Sequence, residues 1–526
     1  MSDRIATKSV AKLATHIAGF DLIADGGLPQ GRTTLISGTA GSAKTVFAVQ
    51  FLAEGIRKSG HSGVFVTFEE TPDDIRRNMQ SFGWDLARWE AEGKWAFVDG
   101  SPRAGLEPVV AGGYDLGALL ARIEHAVRKV GAQRVALDSL GGVFTQFADA
   151  AVVRGELFRV STALKNMGVT AILTAERTGD FGDISRYGVE EFVADNVVIL
   201  RNALDQEKRR RTIEVLKLRG TGHQKGEFPF TVTSEDGIII LPLSALELKQ
   251  KSSNVRITSG NAELDRMCGG GFFRDSIILL SGPTGSGKTL ITTEFIAGGV
   301  ANGERCLLLA FEESREQLFR NAFGWGRDFG EMERNGRLRV TCAYPESSTL
   351  EDHLIGIKKE ILSYRPDRLA VDSLSALERV ASLRSFREFV IGLTSFVKHQ
   401  EIAGLFTATT NSLLGGTSVT ETNISTITDS IILLRYVELY GEMRRGLTVL
   451  KMRGSMHDKN IRELTIDGRG MHIGKPFHRV TGILSGVFSH AAAGELERMG
   501  SMFQDGGPAG GAAGTEDAGA LGDRIG

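Results

Sequence analysis

The sequence predicts an α/β fold built twice, each copy a mostly parallel sheet with helices on both faces. Three observations predict it. Short apolar strands run straight into glycine-rich loops at 38–45, GTAGSAKT, and 282–289, GPTGSGKT. The segments that follow, TVFAVQFLAEGIRKSG and TLITTEFIAGGVANG, have helical spacing and end at glycine. Further strands rich in Val, Ile and Leu alternate with helical segments, which is the pattern of a sheet buried on both faces.

The second copy follows from an internal match. Lys288 lies 244 positions after Lys44, and other segments answer each other in the same order. VFVTFEE at 64–70 answers LLLAFEE at 307–313, and RVALDSL at 134–140 answers RLAVDSL at 368–374. DNVVILRN at 195–202 answers DSIILLRY at 429–436, and KLRGTGHQK at 217–225 answers KMRGSMHDK at 451–459. From Asp138 onward the offset is 234, so the copies differ by a few loop deletions. A period this long is a duplicated domain, since solenoid units run to tens of residues. The expected domains are 1–247 and 248–490, with the seam in LELKQKSSN at 246–254. Residues 491–526 form a tail, with ELERMGSMF read as a short helix and the glycine-rich stretch from about 505 as disordered.

Composition narrows the function classes. The chain has 526 residues, 41% apolar and 24% charged, which is ordinary for globular protein. A net charge of −2 gives no overall basic field to draw it to nucleic acid or anionic lipid. No apolar run approaches the 18 or so residues a membrane helix needs, and the N-terminus lacks the apolar stretch of a signal peptide. Cys268, Cys306 and Cys342 are few, odd in number and far apart, as expected of unpaired thiols in a reducing cytoplasm.

The second loop fits G-x-x-x-x-G-K-[ST] at every position and the first at all but one; in this motif backbone N–H groups cradle phosphates, the lysine meets the β- and γ-phosphates and the hydroxyl holds Mg²⁺. Gly38, Gly41, Ser42, Ala43, Lys44 and Thr45 are assigned to one ATP, and Gly282, Thr284, Gly285, Ser286, Gly287, Lys288 and Thr289 to another. Ala43 stands where the motif has glycine. If the backbone there needs positive φ, the methyl costs about 1–2 kcal/mol; if φ is negative, only close approach to phosphate is at stake. Asp138 and Asp372 end apolar strands, where a carboxylate can organise the Mg²⁺ shell. The pairs Glu69–Glu70 and Glu312–Glu313 are read at the end of another strand, where one of each pair can orient a nucleophile toward the γ-phosphate. That nucleophile is water in a hydrolase or a hydroxyl in a kinase.

The halves differ before the last shared strand. VTETNISTITDS at 419–430 sets Ser425, Thr426 and Thr428 opposite Glu191, Phe192 and Ala194. Only the second half therefore offers a cluster of hydroxyl acceptors, although threonine also favours strands and local capping. Lys217, Arg219, Lys451 and Arg453 follow strands and read either as cations for transferring phosphate or as exposed strand-end charges. The basic run QEKRRRT at 206–212 reads as a solvated hairpin tip.

Over about residues 15–490 the chain resembles the KaiC family of circadian clock protein kinases, on the paired loops, both EE pairs, both K-x-R-G segments and ISTITD. The resemblance implies two RecA-like P-loop ATPase domains and a double-ring homohexamer with ATP (or ADP) and Mg²⁺ between neighbouring subunits. It implies slow hydrolysis in ring one, with Glu69 and Glu70, and autophosphorylation of Ser425 and Thr426 in ring two, with return of phosphate to ADP. Glu312 becomes the base, beside the metal with Thr289 and Asp372, and Glu313 lies next to it; Thr45 and Asp138 serve the other metal. Lys217, Leu218, Arg219, His223 and Lys225, and Lys451, Met452, Arg453, His457 and Lys459, reach the neighbour's ATP. Arg379 and Arg387 become interface groups.

The departures are Ala43, Glu421 in place of an aspartate of clock members, and the tail. The tail lacks an obvious helix for KaiA, although VTGILSGVFSH at 480–490 fits a ring-mouth loop, so a relative working without KaiA and with a KaiB-like partner is expected. Two other readings use the same loops: a RecA-type DNA-dependent ATPase, against which the near-neutral charge speaks, and a nucleotide-binding signalling scaffold with little turnover.

Overall fold

The computed structural model describes residues 10–101, 116–139, 141, 150–186, 188, 190–205, 207–242, 252–410, 426–439, 441–477, 480–481 and 489–490. Ser425, Glu421, most of the 246–254 seam and the tail from 491 lie outside the described residues. Of the stretch read as a ring-mouth loop, 480–481 and 489–490 are described and pair as two short antiparallel strands.

Each half has a nine-stranded mixed sheet. In the first half the strands are β1 (Thr33–Gly38), β2 (Ser62–Thr67), β3 (Trp95–Asp99), β4 (Ala132–Asp138), β5 (Thr170–Glu176), β6 (Asn196–Asp205), β7 (Lys208–Leu218), β8 (Glu227–Thr233) and β9 (Gly237–Ile240). Their order is β9-β8-β7-β6-β1-β5-β4-β2-β3. The second half repeats it with β10 (Ile277–Gly282), β11 (Cys306–Ala310), β12 (Leu338–Cys342), β13 (Arg368–Asp372), β14 (Ala403–Thr409), β15 (Ser430–Leu439), β16 (Glu442–Met452), β17 (Arg462–Asp467) and β18 (Gly470–Pro476). The order is β12-β11-β13-β14-β10-β15-β16-β17-β18. From β6 to β3, and from β15 to β12, the strands are parallel; the remaining three in each half are antiparallel. This is the fold class the sequence predicts, with the loop strand at the middle of each sheet.

Alternation along the strand covers both faces. Leu35 and Ile36, neighbours on β1, lie in different hydrophobic cores, as do Ile277 and Ile278 on β10. On one face lie the helices that follow the loops, α1 (Lys44–Glu54) and α2 (Lys288–Ala301), apolar almost all round because the sheet and the flanking chain enclose them.

A buried arginine ties each of these helices to the sheet. Arg368, fully buried at the start of β13, donates to the carbonyls of Phe295 (2.8 Å) and Thr258 (2.7 Å) and to Glu304 (2.5 Å). Its guanidinium lies over the ring of Phe295. Arg134 does the same for Phe51 and Ala14, and burial pulls its pKa down to about 10. Gly55 and Gly299 leave room for these side chains: a methyl at 299 would lie 2.6 Å from Arg368 Nε.

The halves dock in part through the basic run that the sequence suggests is a solvated hairpin tip. Arg210 bridges Glu351 (2.9 Å) and Glu388 (2.7 Å), on helices α3 (Leu350–Tyr364) and α4 (Leu383–His399). Lys208 donates to the carbonyls of Glu346 and Ser348, and Lys359 pairs with Glu235 and Asp236. Leu241 packs into a core of the second half. The part of this run from Lys208 to Thr212 therefore belongs to a docking strand. Its charge looked solvated because the carboxylates that pair with it lie more than 130 residues away. All three thiols are free; Cys342 is exposed, and burial pushes those of Cys268 and Cys306 up to about 12. Among the described residues no helix is long and apolar enough to cross a membrane.

Replacing Arg368 by methionine leaves the carbonyls of Phe295 and Thr258 without this donor inside the protein and Glu304 with Arg274 as its remaining partner. We expect a loss of about 3 kcal/mol, read as a lower urea midpoint for the unfolding transition of the second half.

Candidate nucleotide and phosphoacceptor sites

Each loop turns from the carboxyl end of the central strand into a helix whose first N–H groups have no side-chain cap. That arrangement suits a phosphate. Gly38 and Gly282 are there for close approach: a methyl at 282 would lie 2.8 Å from Leu434 Cβ, and one at 38 would overlap Ser42 Oγ. Lys44 and Lys288 fold back onto their own loops, Lys44 to the carbonyls of Gly38 and Thr39 (both 3.0 Å) and Lys288 to those of Gly282 (2.8 Å) and Pro283 (2.9 Å). Burial lowers both ammonium pKa values, partly offset by nearby carboxylates.

The residue before the lysine has positive φ in both loops, 71° at Ala43 and 107° at Gly287. Of the two possibilities left open for Ala43, the strained one holds. The structure places Ala43 in the left-handed region, where its methyl packs against the core.

In the second half Thr289 Oγ1 donates to Asp372 (2.8 Å), and Thr407 donates to the other oxygen of the same carboxylate (2.6 Å). Burial raises the Asp372 pKa. Among the described residues no group of three or more His, Cys, Asp or Glu could hold a metal by itself. One hydroxyl and one carboxylate beside a phosphate loop do fit Mg²⁺, which keeps several waters and binds through substrate phosphates. In the first half Asp138 accepts from Thr174. The peptide bonds Asp138–Ser139 and Asp372–Ser373 are both cis.

The glutamate pairs differ from the sequence reading in one respect. β2 ends at Thr67 and β11 at Ala310, so each pair lies in a bend just past its strand, where alternation no longer applies. Both Glu312 and Glu313 consequently face the same cleft of about 480 Å³, which also holds Lys288, Thr289, Asp372 and Arg379. Glu312 accepts from Ser373 Oγ and Arg379 Nη2, each at 2.8 Å. Glu313 accepts from Asn321 (3.1 Å), and burial raises its pKa. Glu69 accepts from Ser139 (2.8 Å) and Glu70 from Asn78 (3.0 Å); burial raises the Glu70 pKa too.

Several site residues went unnoticed in the sequence. Ser139, Ser373, Asn78 and Asn321 brace the glutamates, and Trp325, Thr409 and Ile466 line the second cleft. Glu176 pairs in register with Gly38, where Thr409 pairs with Gly282, so the first site carries one more carboxylate than the second. Equal placement of these residues in the two halves is the signal that could have found them.

The K-x-R-G segments lie at the other end of the sheet. Lys451 donates to the carbonyl of Thr428 (2.7 Å) and Arg453 to that of Thr426 (3.0 Å). Lys217 holds the carbonyls of Glu191 and Ala194 in the same manner. Leu218 and Met452 are buried, so their side chains belong to the core rather than to a ligand. His223 and His457 are half-buried, each with an unpartnered buried Nδ1, and Lys225 and Lys459 are exposed. Arg219 and Arg453 are exposed, and Arg387 is exposed on α4. Thr426 is exposed and Thr428 is fully buried, which removes Thr428 from the acceptors.

Comparison with known proteins agrees with this geometry. The family model described as "ATPase: KaiC" matches residues 13–245 and again 257–477. The chain belongs to the KaiC family. It is 67% identical over 499 residues to the "Circadian clock protein KaiC3" of Synechocystis sp., covering 95% of this chain and 99% of that one. It is 55% identical over 503 residues to the "Circadian clock oscillator protein KaiC" of Thermostichus vulcanus, covering 95% and 96%. To the protein of that name from Synechococcus elongatus it is 54% identical over 504 residues, covering 95% and 97%.

Since alanine at this φ costs about 1–2 kcal/mol relative to glycine, Ala43→Gly should stabilise the nucleotide-free chain by about 1 kcal/mol. Gly287→Ala should destabilise it by at least as much. Urea unfolding of the two variants checks both signs.

Proposed function

We propose that both halves bind ATP with Mg²⁺, that the first hydrolyses it slowly, and that the second transfers the γ-phosphoryl group to Ser425 and Thr426 of a neighbouring copy in a homohexamer. One observation carries the intermolecular step. Ser430 pairs with Ile278 at the start of β10, whereas the phosphate loop follows Gly282 at its end. The exposed Thr426 precedes Ser430, so it is separated from its own loop by the length of the strand, about 15 Å or more. An acceptor so placed meets the nucleotide of another copy.

In this reading Glu312 takes the hydroxyl proton as the acceptor oxygen bonds to the γ-phosphorus. The bond from that phosphorus to its bridging oxygen breaks, and ADP leaves with the electron pair. The ion pair with Arg379 aims Glu312, and Lys288 balances charge on the phosphates. Thr289 and Asp372 would hold Mg²⁺, which supplies charge neutralisation between the phosphates. The reverse transfer returns the phosphoryl group to ADP. Lys451 and Arg453 fix the acceptor backbone from behind. In the first half Glu191, Phe192 and Ala194 offer no acceptor hydroxyl, so Glu69 or Glu70 orients water instead. The division at 247/248, a KaiB-like partner, independence from KaiA and a cytoplasmic place belong to the same proposal.

Incubation with Mg·ATP should add phosphate to the intact mass, mapped to Ser425 and Thr426. Glu312→Gln should slow its appearance by at least about 100-fold. Mixing Glu312→Gln chains with Ser425→Ala/Thr426→Ala chains should place phosphate on the former, and an unchanged mass in every arm would reject the proposal.

A further inference from the structure

The strained Ala43 raises the question of where its methyl goes. In the second half the equivalent residue is Gly287, and a methyl built there would meet Ile466 Cδ1 at 3.1 Å and Leu464 Cδ2 at 3.7 Å. The first of these is tight enough that Ile466 must give by a few tenths of an ångström, and the second is ordinary. Ile466 and Leu464 stand on β17, which crosses beside the loop; the corresponding strand of the first half is β8. Strand register fixes the equivalence. Ile466 pairs with Met471 as Val232 pairs with Ile238, and Leu464 pairs with Ile473 as Phe230 pairs with Ile240. The residue facing the alanine loop is thus a valine, which has no Cδ1 atom. Ala43 and Val232 both pack, half-buried, against the same core.

We infer that Ala43 and Val232 are a matched pair, and that Val232 is the positioning residue that lets the first phosphate loop carry a methyl where the second must carry hydrogen. Gly287 with Ile466 is the other solution to the same packing problem. In each pair the volume removed from one partner is given to the other, as interiors close-packed to crystal density require. Val232 acts on the nucleotide through the loop backbone. Overfilling the wall would push residue 43, and with it the N–H groups and Lys44 that the loop presents. The inference rests on the reading of residues 38–45 as a nucleotide site.

The test is a double-mutant cycle on the full chain, with Mg·mant-ADP as the probe and Lys288→Ala present throughout to silence the second loop. Val232→Ile should weaken binding at the first site by about fivefold to tenfold when residue 43 is alanine. The same change should alter it less than twofold in the Ala43→Gly background. A conservative change that is rescued by removing one methyl elsewhere identifies a contact, which general destabilisation would not reproduce. Equal effects in the two backgrounds would overturn the pairing. The second half gives an independent arm that survives misfolding of Val232→Ile. There, with Lys44→Ala as background, Gly287→Ala should weaken mant-ADP binding, and Ile466→Val should recover part of the loss, leaving the share due to positive φ. No recovery would also overturn it. Absence of mant-ADP binding in both single-lysine backgrounds before any cycle mutation would instead reject the nucleotide reading, so the two failures are distinct.

Discussion

Peptide N–H groups without an internal acceptor gather at the first turn of a helix, and here two such turns are pinned over the carboxyl ends of central strands. Neither helix has a side-chain cap at its start. Their donors and partial positive charge are directed to one point, the space a phosphate fills. The other groups of each cleft are arranged around that point. The parallel strands on one side of the loop strand end in carboxylates, Asp138 and Asp372, with the glutamate pairs just beyond the next strand. The buried Arg134 and Arg368 hold the helices against the sheet.

Much of this was legible in the sequence, and the reasons are local. A phosphate loop states its conformation through glycines, a lysine and a hydroxyl within eight residues, and duplication stated it twice. Strand-end aspartates were legible because apolar runs stop at them. What could not be read depended on distance along the chain. The basic run at 206–212 has partners such as Glu351 and Glu388, far ahead of it. Trp84 and Trp325 sit in the same short FGW context, yet one is buried and the other lines the second cleft. Periodicity placed the glutamates on a strand that stops two or three residues short of them. Residue type and spacing alone do not tell Thr428 from Thr426, because it is burial that separates them.

The halves have diverged in ways that bear on what each can do. The first has Glu176 where the second has Thr409, alanine in its loop, and Glu191, Phe192 and Ala194 at the positions of Ser425, Thr426 and Thr428. The second keeps the full glycine pattern and an exposed threonine held by Arg453. In the proposed function one scaffold would use water as the nucleophile in one copy and a side chain in the other, through changes at strand ends and in the connecting loops, while the sheet order is unchanged.

Transfer between copies, as proposed, from the loop at the end of β10 to Thr426 ahead of the neighbouring β15 would also set the geometry of assembly. A contact that brings one end of a sheet against the opposite end of the next molecule's sheet is head-to-tail, and cannot be self-complementary as a two-fold contact is. Repetition of that contact either closes on itself or grows without limit, so small changes in the rotation between protomers would separate a soluble ring from a filament.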